Sequence, residues 1–142
     1  MSHTIYHDFT ITSTLEKVFS AISEPNQLIH WWPQKCTGSP ELKGKYNFYF
    51  TEEYDWYAEI VEYSKNSVIH YKMTKADSDW DPTTFGFAVK EVDKLVQVEF
   101  FHKNWPLCNE HFRTASFCWA ILLHALKNYV ENGEIVPFEK RS

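Results

Sequence analysis

The strongest periodic signal in the chain runs from Asn109 to Asn132. On a wheel of about 100° per residue, Phe112, Ala115, Trp119, Leu122, Leu123, Leu126, Tyr129 and Val130 gather on one side. Glu110, Arg113, His124, Asn128 and Glu131 fall on the other, which predicts one long amphipathic helix. Asn109 suits the N-cap, Glu110 the positive end of the helix dipole, and Gly133 the left-handed residue that ends the helix. Such a helix is roughly 35 Å long and needs a broad apolar surface to lie on. On its reverse, Phe117 and Ile121 stand about 160° from Trp119 and form a second apolar strip. An exposed strip of this kind predicts a cover, either the tail Ile135-Val136-Pro137-Phe138 or a second copy of the chain.

The period before that helix is two. Thr4–Ile11 alternates Ile5, His7, Phe9 and Ile11 against Tyr6, Asp8 and Thr10, a half-buried strand. A short helix follows, capped by Ser13 or Thr14 and carrying Leu15, Val18, Phe19 and Ile22. Pro25 ends it and opens a second with Leu28, Ile29, Trp31 and Trp32. Cys36 to Lys43 reads as a loop. Strands are then predicted at Lys45–Thr51, Tyr54–Tyr63, Val68–Thr74, Thr83–Val92 and Leu95–His102, joined by short turns. His70 and Lys72 are expected on a solvent face. The order β-α-α-β-β-β-β-β-α predicts an α+β fold in which about six antiparallel strands support one long C-terminal helix. Residues 1–142 read as a single domain, without repeats or linker-like stretches.

Composition sharpens this picture in two ways. Aromatic residues reach 18% of the chain, and they are rigid enough to fill a core or line a pocket. A formal charge of −5 with no Lys/Arg cluster argues against nucleic acid as a partner. Cys36, Cys108 and Cys118 lack metal or disulfide spacing and read as reduced thiols. The first ten residues lack a signal-peptide pattern and no apolar run approaches membrane-spanning length, so a cytoplasmic protein without membrane insertion is expected.

Several segments together resemble the Bet v 1/START-like (SRPBCC) superfamily, and within it the Hsp90 ATPase activator homologue 1-like family. They are Pro25-x-x-Leu28-x-x-Trp31-Trp32, Gly44-Lys45-Tyr46-Asn47-Phe48, Ala58–Tyr63, His102-Lys103-Asn104-Trp105 and the closing run from Trp119 to Gly133. Cys118 stands where the family usually has Gly, and Lys43 replaces the first Gly of its Gly-Gly turn. The resemblance implies a helix-grip fold, a curved sheet around the long helix, often with a cavity between them. It implies either a small apolar ligand in that cavity or an Hsp90-type chaperone as partner, and in some superfamily members cyclisation or hydrolysis of hydrophobic substrates.

A straight helix over a bent sheet leaves space for side chains or for a ligand. Candidate lining residues are Trp31, Trp32, Phe48, Phe50, Trp56, Phe85, Phe87, Phe100, His102, Trp119, Leu122 and Leu123, which would equally well fill a core. His102, closing the face of Val96, Val98 and Phe100, is the single candidate general base, set against a hydrogen-bonded structural histidine. His102, Cys108 and His111 fall short of a zinc set, and Asp77, Asp79 and Asp81 lack the glycine and final glutamate of a calcium loop. No nucleophile or phosphate motif is present, so neither cofactor nor metal is expected and binding is favoured over catalysis.

Overall fold

The computed structural model describes residues 2–141. β1 (His3–Ile11) leads into α1 (Leu15–Ser23) and the single-turn α2 (Pro25–Leu28). Strands β2 (Lys35–Thr37), β3 (Lys45–Tyr49), β4 (Asp55–Ser64), β5 (Val68–Lys75), β6 (Thr84–Val92) and β7 (Leu95–Trp105) follow. α3 (Glu110–Asn132) and a 3₁₀ turn at Phe138–Lys140 close the chain. The strands form one antiparallel sheet in the order β1-β7-β6-β5-β4-β3-β2, so the meander is completed by the first strand docking on the last. The fold is the predicted helix-grip, with seven strands instead of six. The seventh is β2, inside the segment expected to be a loop. Three residues are too few to show an alternation, and β2 exists through its pairing with Asn47–Tyr49.

Two strand irregularities shape the surface under α3. In β4 the register shifts between Ile60 and Glu62, so Val61 and Glu62 both face out and the sheet bends. In β7 the register shifts opposite His3 and Ile5, and Asn104 takes a left-handed φ of 71°. That bulge changes the inward spacing from two residues to three, and both His102 and Trp105 become fully buried. The strand therefore runs beyond its predicted end at His102, and the His-x-x-Trp spacing is the footprint of the bulge. Lys43 also has a positive φ, 70°, a conformation glycine would occupy without strain.

The ends of both major helices are closed as chemistry requires. Asn109 Oδ1 accepts from Phe112 N, and Gly133 stops α3 at φ 72°. At the C-terminus of α1 the last four carbonyls each find a donor. Ser20 O takes the Glu24 N–H, Ala21 O the Trp31 indole at 2.9 Å, Ile22 O the Tyr71 hydroxyl at 2.6 Å and Ser23 O the Tyr46 hydroxyl at 2.6 Å. Three of those donors come from outside the helix, so the sheet and the Trp31 segment hold α1 by its unpaired end. Burial pushes the pKa of both phenols up, so they stay protonated and remain donors at any physiological pH.

α3 buries Ala115, Trp119, Leu122, Leu123 and Leu126 against the sheet. Glu131, expected to face solvent, instead accepts the Thr12 N–H at 2.7 Å and pairs with Lys127, tying the helix to the end of β1. The tail does not cover the reverse strip. Arg141 carries it to the α2 end of the molecule, and Phe117 stays 68% exposed and Ile121 39%. Among the described residues no helix is long and apolar enough to cross a membrane. Replacing Tyr71 by Phe leaves the Ile22 carbonyl buried without its donor, which should cost about 1–2 kcal/mol of unfolding free energy. A urea midpoint equal to that of the parent protein would show that the cap contributes nothing.

Candidate functional site

The packing between sheet and helix opens into a cleft towards one end of α3. Beneath the middle of α3, Trp31, Phe48, Phe85, Phe87, Phe100 and Leu123 are 3% exposed or less and pack against one another. Phe100 and Trp119 centroids are 4.5 Å apart, and Tyr71 and Phe85 stack at 4.8 Å. These residues fill the core. Towards the N-terminal half of α3 an open cleft of about 560 Å³ remains. Of the twelve candidate lining residues, Trp32, Phe50, Trp56, Trp119 and Leu122 face it, and the other seven do not.

Five segments build the cleft. The β3–β4 turn and the start of β4 supply Phe50, Thr51, Tyr54 and Trp56, and the β5–β6 loop supplies Asp77 and Trp80. One stripe of α3, at His111, Ala115, Cys118 and Leu122, forms the opposite wall, with spacings of four, three and four residues. The tail adds Phe138 and Arg141. Trp32 at the floor touches four rings, Phe48, Phe50, Phe85 and Trp119, with centroids 4.9–5.5 Å away. Trp80 reaches in from a polar loop to Trp56 at 4.6 Å.

The sequence marks Trp80 only as a lone tryptophan among aspartates. It offered no signal for Tyr54, His111, Phe138 or Arg141, which reach the cleft from segments distant in the chain. Arg141 Nε donates to Val136 O at 2.8 Å, and Nη1 donates to Ile29 O at 2.8 Å, Pro33 O at 3.2 Å and Trp32 O at 3.4 Å. These bonds pin the tail across the end of the cleft. Asp79 pairs with His111 Nδ1 at 3.0 Å and tethers the β5–β6 loop to the start of α3.

His102 lies behind the cleft wall and is fully buried. Trp119 Nε1–H donates to its Nδ1 at 3.0 Å, which requires the proton to sit on Nε2. Nε2 then donates to Thr83 Oγ1 at 2.8 Å, and Thr83 in turn donates to Trp80 O at 2.5 Å. Both ring nitrogens are engaged, which is the geometry of a structural histidine. His70, expected in solvent, is half-buried, its ring edge-on to Phe101 at 4.7 Å. Cys108 is exposed while His102 and His111 have other partners, and among the described residues no three His, Cys, Asp or Glu side chains form a metal-binding group.

Burial, with the neighbouring His111 charge, lowers His102 from 6.5 to about 3. Between those values the unfolded chain binds the proton and the folded chain does not. The histidine's contribution is therefore complete above pH 6.5 and is lost as the pH falls towards 3. At about 1.4 kcal/mol per pH unit, this group alone should lower unfolding free energy by about 2 kcal/mol between pH 7 and pH 5. Urea titrations at the two pH values check it, with His102→Gln expected to lack most of the difference. An equal loss in that variant would assign it to other groups.

The comparisons with known proteins bear on fold and family. Among curated proteins none matches the sequence. A protein named Aha1 from Colwellia psychrerythraea, solved in solution as a dimer, superposes with a TM-score of 0.84 at 22% identity, covering 93% of this chain and 98% of its own. SSP2350 from Staphylococcus saprophyticus superposes at 0.79 with 17% identity, over 94% and 96% of the two chains. CalU16 from Micromonospora echinospora does so at 0.75 with 13% identity, over 93% and 78%. At these identities the three establish the shared fold. The family model described as "Activator of Hsp90 ATPase homolog 1-like protein" matches residues 12–131, and the chain belongs to that family.

Proposed function

We propose that this is a non-catalytic binding domain that holds a small, mainly apolar molecule with an aromatic portion in the cleft at the N-terminal half of α3. The observation that carries this reading is the cleft itself. About 560 Å³ is within the usual size of small-molecule sites, and seven of the fourteen lining residues are aromatic. Rigid rings offer contact area with little rotamer entropy to lose, and the few polar groups at the rim can orient a bound molecule. The engaged nitrogens of His102 favour binding over acid–base chemistry.

The six tryptophans make the reading testable at residue level. Trp32, Trp56, Trp80 and Trp119 line the cleft, whereas Trp31 and Trp105 do not. On titration with 1-naphthol, the indole N–H resonances of the first four should shift saturably in a ¹H–¹⁵N spectrum, with the other two nearly unmoved. Trp56→Ala should weaken binding about tenfold, given the 1–2 kcal/mol typical of an aromatic contact. Uniform or absent shifts would sink the reading.

A second reading concerns the reverse of α3. Phe117 and Ile121 are uncovered by the tail, and the Colwellia relative is a dimer. We infer that a second copy of this chain packs on that strip. Sedimentation should give a dimer mass for the parent protein and a monomer for Phe117→Asp; a parent protein that is already monomeric ends the idea.

A further inference from the structure

The charges around the cleft are distributed unevenly. Its two framing loops carry six carboxylates, Glu52, Glu53, Asp55, Asp77, Asp79 and Asp81, and residues 50–55 and 76–82 contain no lysine or arginine. The whole chain has the same sign, at −5. Three of the six are committed locally, Asp79 to His111, Asp55 to Asn47 and Asp81 to the Ala76 N–H. Asp77 is exposed and lies on the cleft wall, three residues before Trp80 in the same turn, where Asp77 O accepts the Trp80 N–H at 2.9 Å.

The rings beside it form a compact box. The Trp56 centroid is 4.6 Å from Trp80, 5.2 Å from Phe50 and 6.3 Å from Tyr54. An aromatic face carries a negative quadrupole, so rings of this kind attract a positive group brought among them, most strongly where water is partly excluded. Trp80 is 7% exposed and Trp56 only partly exposed, which supplies that exclusion.

Three basic groups bear on the cleft, and the first, His111 on its wall, is paired with Asp79 at 3.0 Å. Arg141 lines the far end of the cleft, but its Nε and Nη1 are directed at the backbone carbonyls of Val136, Ile29, Pro33 and Trp32, whose partial negative charge meets its own. Lys75, at the end of β5, sits over the Tyr57 ring, and Tyr57 is not among the cleft residues. The ring box and its acidic frame belong to the loop side of the cleft, and the arginine belongs to the tail.

We propose that the ligand class of the cleft is an organic cation, a substituted ammonium carried on an apolar or aromatic body. The ammonium lies against the cleft-facing sides of Trp56, Trp80, Phe50 and Tyr54 beside Asp77, and the body lies along Ala115, Cys118 and Leu122. This rests on the cleft being a ligand site, as proposed above, and adds the sign of the ligand's charge. The acidic loops would also raise the local cation concentration and speed encounter, an effect that salt removes.

Three probes that share a benzyl group separate the possibilities: benzyltrimethylammonium, its uncharged isostere neopentylbenzene, and the anion phenylacetate, each followed through the tryptophan indole resonances. The ammonium should bind at least as tightly as neopentylbenzene and about tenfold tighter than phenylacetate. Its affinity should fall about threefold or more when salt rises from about 20 mM to about 300 mM, and similarly in Asp77→Asn, while neopentylbenzene changes in neither case. Tighter binding of neopentylbenzene, or an ammonium affinity indifferent to salt and to Asp77→Asn, overturns the cationic class and leaves the apolar ligand site standing. Tighter binding of phenylacetate overturns it in favour of recognition at the Arg141 end. If no probe moves the four cleft tryptophans, this inference and the ligand site fall together.

Discussion

The buried chain of hydrogen bonds from Trp119 through His102 and Thr83 to the Trp80 carbonyl is the constraint on which the functional end of the molecule depends. It joins α3 to β7, to the residue just before β6 and to the loop preceding it, in surroundings where an unmade bond is expensive. Because each polar atom in it is satisfied, Trp119 and Trp80 have defined positions, and those two rings are walls of the cleft. The low affinity of His102 for a proton follows from the same burial. Structural polarity behind the wall thus holds the apolar surface in front of it.

The protein then divides its aromatic residues between two jobs by position along α3. Under the middle of the helix, rings from β3, β5, β6 and β7 interlock and leave no room, as a close-packed interior requires. Near the start of α3 the sheet is followed by loops, and the rings meet at the edge of an open space. The same residue types are a core in one place and a pocket wall in the other. The difference lies in whether the next layer is another strand or solvent.

Two polar devices keep that boundary in place. At one side the tyrosines of β3 and β5 and the indole of Trp31 take up the terminal carbonyls of α1, which holds the α1–α2 unit beneath the Trp32 floor. At the other, Arg141 draws the tail back to the carbonyls after α2 and brings Phe138 to the cleft. The first is a helix end that must be satisfied in any fold. The second is a single side chain reaching more than a hundred residues back along the sequence.

Much of the architecture was legible from local pattern. The 3.6-residue period of Trp119, Leu122, Leu123 and Leu126 and the caps at Asn109 and Gly133 specify α3 by themselves, because a helix is a local structure. The two-residue alternations of β3 to β7 did the same for the meander, and the family resemblance rested on five residue motifs met in order. The short β2 was not legible, since it depends wholly on its neighbour, and neither was the bulge at Asn104 that turns Trp105 inward. For the site, the sequence named a set of inward aromatics and could not divide them. Trp32 and Phe48 have the same hydrophobic character, and only the tertiary structure puts one at the cleft and the other beneath it. The polar contributors Asp77 and Arg141 carry no periodic mark at all, because their place is set by loop closure and by distant backbone carbonyls. Periodicity records which way a residue faces; what it faces is decided when the elements pack.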